Sequence, residues 1–423
     1  MSDLGQGKET DGESQQPLRM DSYDPFNEPQ LTNPYALFLK WRESQPVFYS
    51  KLINHWIVSR YQDVDGVLKN HEICSARNTL TPIFSPCPAA RDALHSGGWA
   101  LCPALGNNDE PDHSRFRRLV QKTFMPVYIK SMEPRIHDLV DAGISRLQER
   151  AQANLMTDLI VDLPARVILS MLGFDAAAAS QLIAGGRNRI LFIWGQPTAE
   201  EQVSLAKGVA ELFRFCREII LERRLCPRED FTTKLIEHAQ QDESAFSDDE
   251  LASVLFAMFT AGHETTSSLM GNVVYQLLSH RASWCALCDD SRLIGGAIEE
   301  VLRFDSSVIA WRRYATRDSI VGDQTIHAGS QLLLLLGSAN RDEVVFADAE
   351  HFDIGRKNAA KHLSFGRGVH SCLGNVLAKT ETRILIQALS TRFPRMRLSE
   401  GYVPTYLPSV AFHGVRDVNV TLY

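Results

Sequence analysis

The chain has 423 residues, 44% of them hydrophobic, and 44 Lys plus Arg against 51 Asp plus Glu give a formal net charge of -7. That apolar content supports a substantial core, and the mildly acidic balance gives no global attraction to nucleic acid or to an anionic membrane. The eight cysteines are scattered and no secretory signal is legible, so reduced thiols and a cytoplasmic location are the simplest reading.

Residues 1–20 are polar, with almost no large apolar side chain, and read as a disordered tail. No uninterrupted apolar run approaches the roughly 20 residues that would span a bilayer, so no membrane anchor is expected. Pro46-Val-Phe-Tyr and His55-Trp-Ile-Val have the pattern of two short strands, and helical spacing follows from Tyr61. From about 110 to 300 the periodicity is helical and prolines are few. A second β-rich patch follows Arg313 and includes the leucine run after Gln331. A last helix is expected from Cys372 to about Ser390, then strand-like pieces broken by Pro and Gly. With no repeat and no internal linker, residues 21–423 read as one large domain, mainly α with a minor β part.

Several local patterns carry chemistry. His113 and Arg117 stand at i and i+4 on one helical face. Ser247-Asp-Asp-Glu250 is a capping box that opens a long apolar helix. That helix is interrupted by Ala261-Gly262-His263-Glu264-Thr265-Thr266. Glycine costs a helix about 1 kcal/mol relative to alanine, and paired threonines are poor interior choices, so packing alone does not favour the insert. Glu300 and Arg303 share a helical face at i and i+3. Cys285-Ala-Leu-Cys288 has CxxC spacing, but no second pair or nearby histidine supports a metal. The run Phe365-Gly-Arg-Gly-Val-His-Ser-Cys372-Leu-Gly374 places one thiol between glycine turns and a helix start. Unpaired amides and the positive helix end favour its thiolate.

The last run resembles the cysteine loop of the cytochrome P-450 superfamily, Phe-Gly-x-Gly-x-His-x-Cys-x-Gly, with every fixed position filled. The resemblance extends over about residues 21–423 and implies a soluble, bacterial-type haem-thiolate monooxygenase built on a large helical domain with small β-sheets. Its cofactor would be haem b, iron protoporphyrin IX, with Cys372 as the metal ligand and Phe365 in the cofactor loop. The family's propionate-binding cations map to His113, Arg117, Arg313 and His370. Its oxygen-binding groove maps to the 261–266 insert: Gly262 would leave room for dioxygen, Thr265 would hydrogen-bond the oxygen, and Glu264 would relay protons. Glu300-x-x-Arg303 resembles the family's buried structural pair. Its third partner maps to His351, and Asp305-Ser306-Ser307 stands where a proline is usual.

Trp194-Gly-Gln-Pro, Ile309-Ala-Trp-Arg-Arg and Thr405-Tyr-Leu-Pro are similar to haem domains of self-sufficient members. The 51 residues after Cys372 are too few for a reductase, so electrons are expected from NAD(P)H through a separate ferredoxin and ferredoxin reductase. The resemblance puts a small apolar or aromatic substrate among the 78–102 loop, Leu191 to Trp194, Phe256 to Ala261, Val308 to Ala310 and Val410 to Phe412, with no carboxylate clamp legible. Arg115, Arg118, Lys122 and Arg367 are expected on the cysteine side, facing an acidic ferredoxin. Peroxide-driven oxygenation, oxidative C–C coupling and a haem sensor remain open.

Overall fold

In the computed structural model, which describes residues 23–174, 179–242 and 245–423, a 32-residue helix, Asp248–Ser279, runs through the middle of the fold. Its start is fixed as the sequence predicts. The Ser247 hydroxyl accepts the Glu250 amide (3.2 Å), and the Glu250 carboxylate accepts the Ser247 amide (2.8 Å). Three acidic residues, Asp248 to Glu250, complement the positive helix end. Helices Asp162–Leu172, Ala199–Leu225 and Asn375–Arg392 pack around it. Residues Leu251 to Phe256 and Thr266 to Val274 are buried on every side, which a merely amphipathic helix would not permit.

The strands expected near Pro46 and His55 and in the patch around Arg313 join Cys74–Ser75, which no sequence pattern announces, in one five-stranded sheet in the order Val47–Ser50, His55–Val58, Gln331–Leu334, Trp311–Ala315, Cys74–Ser75. The pairing of His55–Val58 with Gln331–Leu334 is parallel and the others are antiparallel. A second piece escaped the sequence reading. Gln152–Asn154, inside the helical stretch, pairs with Asn419–Thr421, which pairs with Arg397–Leu398. Strands of two or three residues carry no usable periodicity. The polar tail expected at 1–20 lies outside the described residues. Among the described residues no helix is long and apolar enough to cross a membrane.

The Glu300–Arg303 pair is fully buried, both side chains being 0% exposed. It is bidentate, with Arg303 Nε to Oε2 and Nη2 to Oε1 both at 2.7 Å. Its third member is Arg356, not His351: Arg356 Nε lies 3.2 Å from Glu300 Oε1. His351 is exposed and offers only its backbone carbonyl, to Arg303 (3.1 Å) and to Arg356 (3.0 Å). Arg303 also donates to the carbonyls of Asn340 (3.2 Å) and Ala349 (2.8 Å). The network therefore stitches the 340–356 segment onto helix Ile294–Phe304.

A second buried acid is of the opposite kind. Glu381 on helix Asn375–Arg392 is 2% exposed, its Oε2 has no hydrogen-bond partner, and burial pushes its carboxyl well above the ordinary range.

Removing one partner of a buried ion pair leaves the other charge stranded, at about 3–5 kcal/mol. Arg303→Ala should therefore lower stability in urea denaturation by that amount. His351→Ala should stay within about 0.5 kcal/mol of wild type, as exposed substitutions do; a loss comparable to that of Arg303→Ala would restore His351 to the network. Glu381 predicts a pH effect. Its folded pKa is raised, so the folded state holds a proton that the unfolded chain releases near pH 4.3, and stability falls as pH rises above that point. Glu381→Gln removes this slope. Its urea midpoint relative to wild type should be higher at pH 8 than at pH 5, and an unchanged difference would contradict the buried neutral carboxyl.

Candidate active site

The central helix opens in its middle. Between its two buried stretches Ala261 is exposed and Gly262, Glu264 and Thr265 are half-buried. The cysteine loop leads into helix Asn375–Arg392, which packs against this central helix. The helix expected from Cys372 begins at Asn375, because Leu373 and Gly374 complete a turn first. The Cys372 amide donates to the Phe365 carbonyl (2.9 Å), closing the loop. Gly368 makes the closure possible: its φ is +70°, and a Cβ there would sit 3.0 Å from the Leu68 carbonyl. Burial pushes the Cys372 thiol up, while the Gly374 and Asn375 amides, with the Arg117 charge between them in strength, pull it back. The side chain keeps accessible surface towards the cleft.

The four predicted cation positions converge beside this loop. Arg117 Nη2 donates to Ser371 Oγ (3.3 Å). The rings of His113 and His370 lie 4.1 Å apart. His113 Nδ1 faces Glu110 Oε1 (3.2 Å) and His370 Nδ1 faces the Leu105 carbonyl (3.3 Å). Both acceptors lack a proton, so each Nδ1 carries one. The outer nitrogen of His113, Nε2, is buried with no partner. Arg313 is buried, and its Nη1 donates to the Arg312 carbonyl (2.8 Å). Burial drops its guanidinium to about 10, and burial with the Arg313 charge drops His370 to about 3. The cluster is short of negative charge, which a pair of carboxylates would supply.

On the helix, Thr265 Oγ1 donates to the Ala261 carbonyl (2.6 Å). Its proton is committed there, leaving the oxygen as an acceptor towards the cleft. A Cβ on Gly262 would meet Ile168 Cδ1 at 3.1 Å, so the missing side chain at 262 admits helix Asp162–Leu172. His263, which has no expected role, bonds the Val161 carbonyl through Nε2 (3.0 Å). It therefore carries its proton on Nε2 and turns Nδ1 towards Glu264 Oε2, at 3.9 Å.

The segments expected around a substrate do meet. Trp194 stacks on Trp311 at 5.3 Å, both edge-on to Phe412. The Ile83 amide bonds the Ile193 carbonyl (2.8 Å), the Val410 amide bonds that of Trp194 (2.9 Å), and Trp99 packs edge-on to Phe256 (5.3 Å). Of the expected surface cations, Arg118 and Lys122 are exposed. Arg115 turns inward, paired with Glu250 and lying over Phe246. The sequence reading had no signal for this, because a single arginine next to a helix start looks the same facing either way.

A soft sulfur donor below and unpaired cations at the rim suit a flat metal macrocycle bearing two carboxylates, and that defines the chain as a haem-thiolate oxidoreductase. The sequence pattern of the family "Cytochrome P450" matches residues 189–291 and 292–404. Cytochrome P450 107B1 of Saccharopolyspora erythraea is 33% identical over 380 residues, covering 88% of this chain and 91% of the relative. Among solved structures, cytochrome P450 CREJ in complex with (4-ethylphenyl) dihydrogen phosphate superposes with a TM-score of 0.93 at 32% identity, covering 96% of this chain and 100% of that one. An intact type IV self-sufficient cytochrome P450 monooxygenase matches at 33% identity and TM-score 0.91, covering 95% of this chain and 53% of that one. The chain belongs to the cytochrome P450 family, as a monooxygenase whose cofactor is haem b.

Gly368→Ala should strain the loop by roughly 1–2 kcal/mol from the left-handed backbone alone, with the Leu68 contact added. Transfer of haem to a scavenger protein should be several-fold faster in this variant than in wild type. An unchanged rate would show that the loop tolerates a side chain there.

Proposed function

We propose that the enzyme inserts one atom of dioxygen into a C–H bond or π-system of an apolar or aromatic small molecule, with electrons from NAD(P)H delivered by a ferredoxin and ferredoxin reductase. The observation that carries this reading is the opening of the central helix at Ala261 to Thr265, taken together with the closed Cys372 loop and the stacked Trp194 and Trp311. Haem b held through the Cys372 thiolate supplies oxygen activation and oxygen-atom transfer. Arg117, Arg313, His113 and His370 would neutralise its carboxylates, and His113 Nε2 would take up a proton to do so. Phe365 contributes the carbonyl that fixes the cysteine loop.

The protein's remaining task is to deliver protons while excluding bulk water. Thr265, with its own proton given to Ala261, accepts a hydrogen bond from a proton donor in the cleft. Glu264 is half-buried, with its Oε2 3.9 Å from His263 Nδ1. It can pass protons from the surface towards Thr265. The solved relative CREJ holds an aryl phosphate, which supports an aromatic body for the substrate. Arg118 and Lys122 stay exposed on helix Asp112–Thr123, which also carries Arg117, and offer an acidic electron donor a basic landing close to Cys372.

In a system reconstituted with NAD(P)H, ferredoxin and ferredoxin reductase, Thr265→Ala should keep consuming reductant while product per electron pair falls about 10-fold or more. Hydrogen peroxide should account for the missing electrons. Full coupling in the variant would move the assignment to chemistry that does not need this proton delivery, such as peroxide-driven oxygenation.

A further inference from the structure

Two arginines near the aromatic wall are deep in the fold and have no carboxylate partner among the described residues. Arg312 is 2% exposed, and its Nη2 donates to the carbonyls of Thr79 (3.0 Å) and Thr81. Its guanidinium lies 4.2 Å from the Trp194 ring centroid. These contacts use the group to tie the 78–102 loop to strand Trp311–Ala315.

Arg189, on helix Ala179–Trp194, is held more sparsely. Nη1 donates to Thr260 Oγ1 (2.8 Å), and the guanidinium stands over the Phe256 ring at 5.3 Å. Nε is buried with no acceptor. Desolvation lowers the group to about 10, as expected well inside the protein, yet the residue keeps accessible surface. Other deep arginines are matched to acids: Arg303 to Glu300, Arg223 to Asp230, Arg341 to Glu350. Arg313 is the parallel case, an unmatched cation placed for carboxylates that arrive with the cofactor.

We propose that Arg189 receives an oxyanion carried by the substrate, so that the preferred substrates are anionic arenes: aryl carboxylates, sulfates or phosphate monoesters. This rests on the reading of the cleft as a monooxygenase pocket. Thr260, which anchors Arg189, precedes Thr265 by five residues, about 7.5 Å along the helix axis. An anion at Arg189 therefore leaves a benzene ring at the level of Ala261 and brings a para substituent towards the level of Thr265. A buried guanidinium prefers a planar or tetrahedral oxyanion that it can meet with two N–H groups, and a neutral arene leaves it unpaired.

The experiment titrates the holoenzyme with 4-ethylbenzoate, 4-ethylphenyl phosphate and neutral 4-ethylbenzamide, following the low- to high-spin change and, independently, the heat of binding. Wild type should bind at least one of the anions 10-fold or more tighter than the amide. Arg189→Gln should lose roughly 10- to 100-fold in that anion's affinity and leave the amide unchanged, while Arg189→Lys should recover part of the loss. The reduced carbon monoxide complex should keep the thiolate-type Soret band in both variants. Equal binding of amide and anions to wild type, binding of no anion at millimolar concentration, or an anion preference that survives in Arg189→Gln each overturns the proposal. Loss of the thiolate-type band from wild type itself would instead strike at the underlying monooxygenase reading.

Discussion

A carboxylate with no access to water can stay ionised only if cations are fixed around it. Glu300 is such a group, and the position of the cysteine loop depends on how it is satisfied. Arg303 and Arg356 neutralise it and spend their other N–H groups on the carbonyls of residues 340, 347, 348, 349 and 351. Asn340, held in this way, accepts the Leu363 amide (2.6 Å) and donates to Ser364 Oγ (2.8 Å). The next residue is Phe365, whose carbonyl takes the Cys372 amide. A series of hydrogen bonds, joined through short stretches of chain, thus links Glu300 to the backbone of Cys372. Leaving any member unpaired would cost more than the bond itself contributes, which makes the series rigid.

The segment Asp305-Ser306-Ser307, where relatives usually have proline, is absorbed into this scheme. Ser306 Oγ lies 2.8 Å from the Val308 carbonyl and 2.9 Å from Ser364 Oγ, with one proton to give between them, and so joins the same series from the other side. Asp305 accepts from Tyr35 (3.0 Å) and Gln276 (2.7 Å) and faces His413 at 3.3 Å. Asn272 then donates to the Asp305 and His413 carbonyls (3.0 and 2.9 Å). A proline would stiffen the turn by fixing φ, whereas this chain stiffens it by hydrogen bonding and also pins the segment that carries Phe412.

The parts legible from sequence were those in which several residue types must recur at fixed spacing: Phe365 to Gly374, the 261–266 insert, and the capping box at Ser247. Such spacing is imposed by local backbone geometry, so it survives in one dimension. The third cation of the Glu300 network was misplaced because its chain segment is an irregular turn, and nothing in periodicity separates His351 from Arg356 five residues on. Arg115 was placed on the surface because its acidic partner, Glu250, is 135 residues away. The contact of Gly262 with Ile168, on another helix, has no signature in the motif. Each of these residues is decided by tertiary contact, which a motif does not record.

The buried cations fall into two kinds. Arg223 is matched to an acid, Asp230, at 2.6 Å, whereas Arg312 is spent on the carbonyls of Thr79 and Thr81 and Arg313 on that of Arg312, with no carboxylate partner among the described residues. His113 Nε2 and Arg189 Nε are buried with no hydrogen-bond partner among the described residues. The Val161 carbonyl fixes a neutral group. By holding the His263 proton on Nε2, it leaves a lone pair on Nδ1 facing Glu264. Burial lowers the His263 pKa and resists a second proton on its ring, which keeps that lone pair turned towards the neighbouring carboxylate oxygen at 3.9 Å.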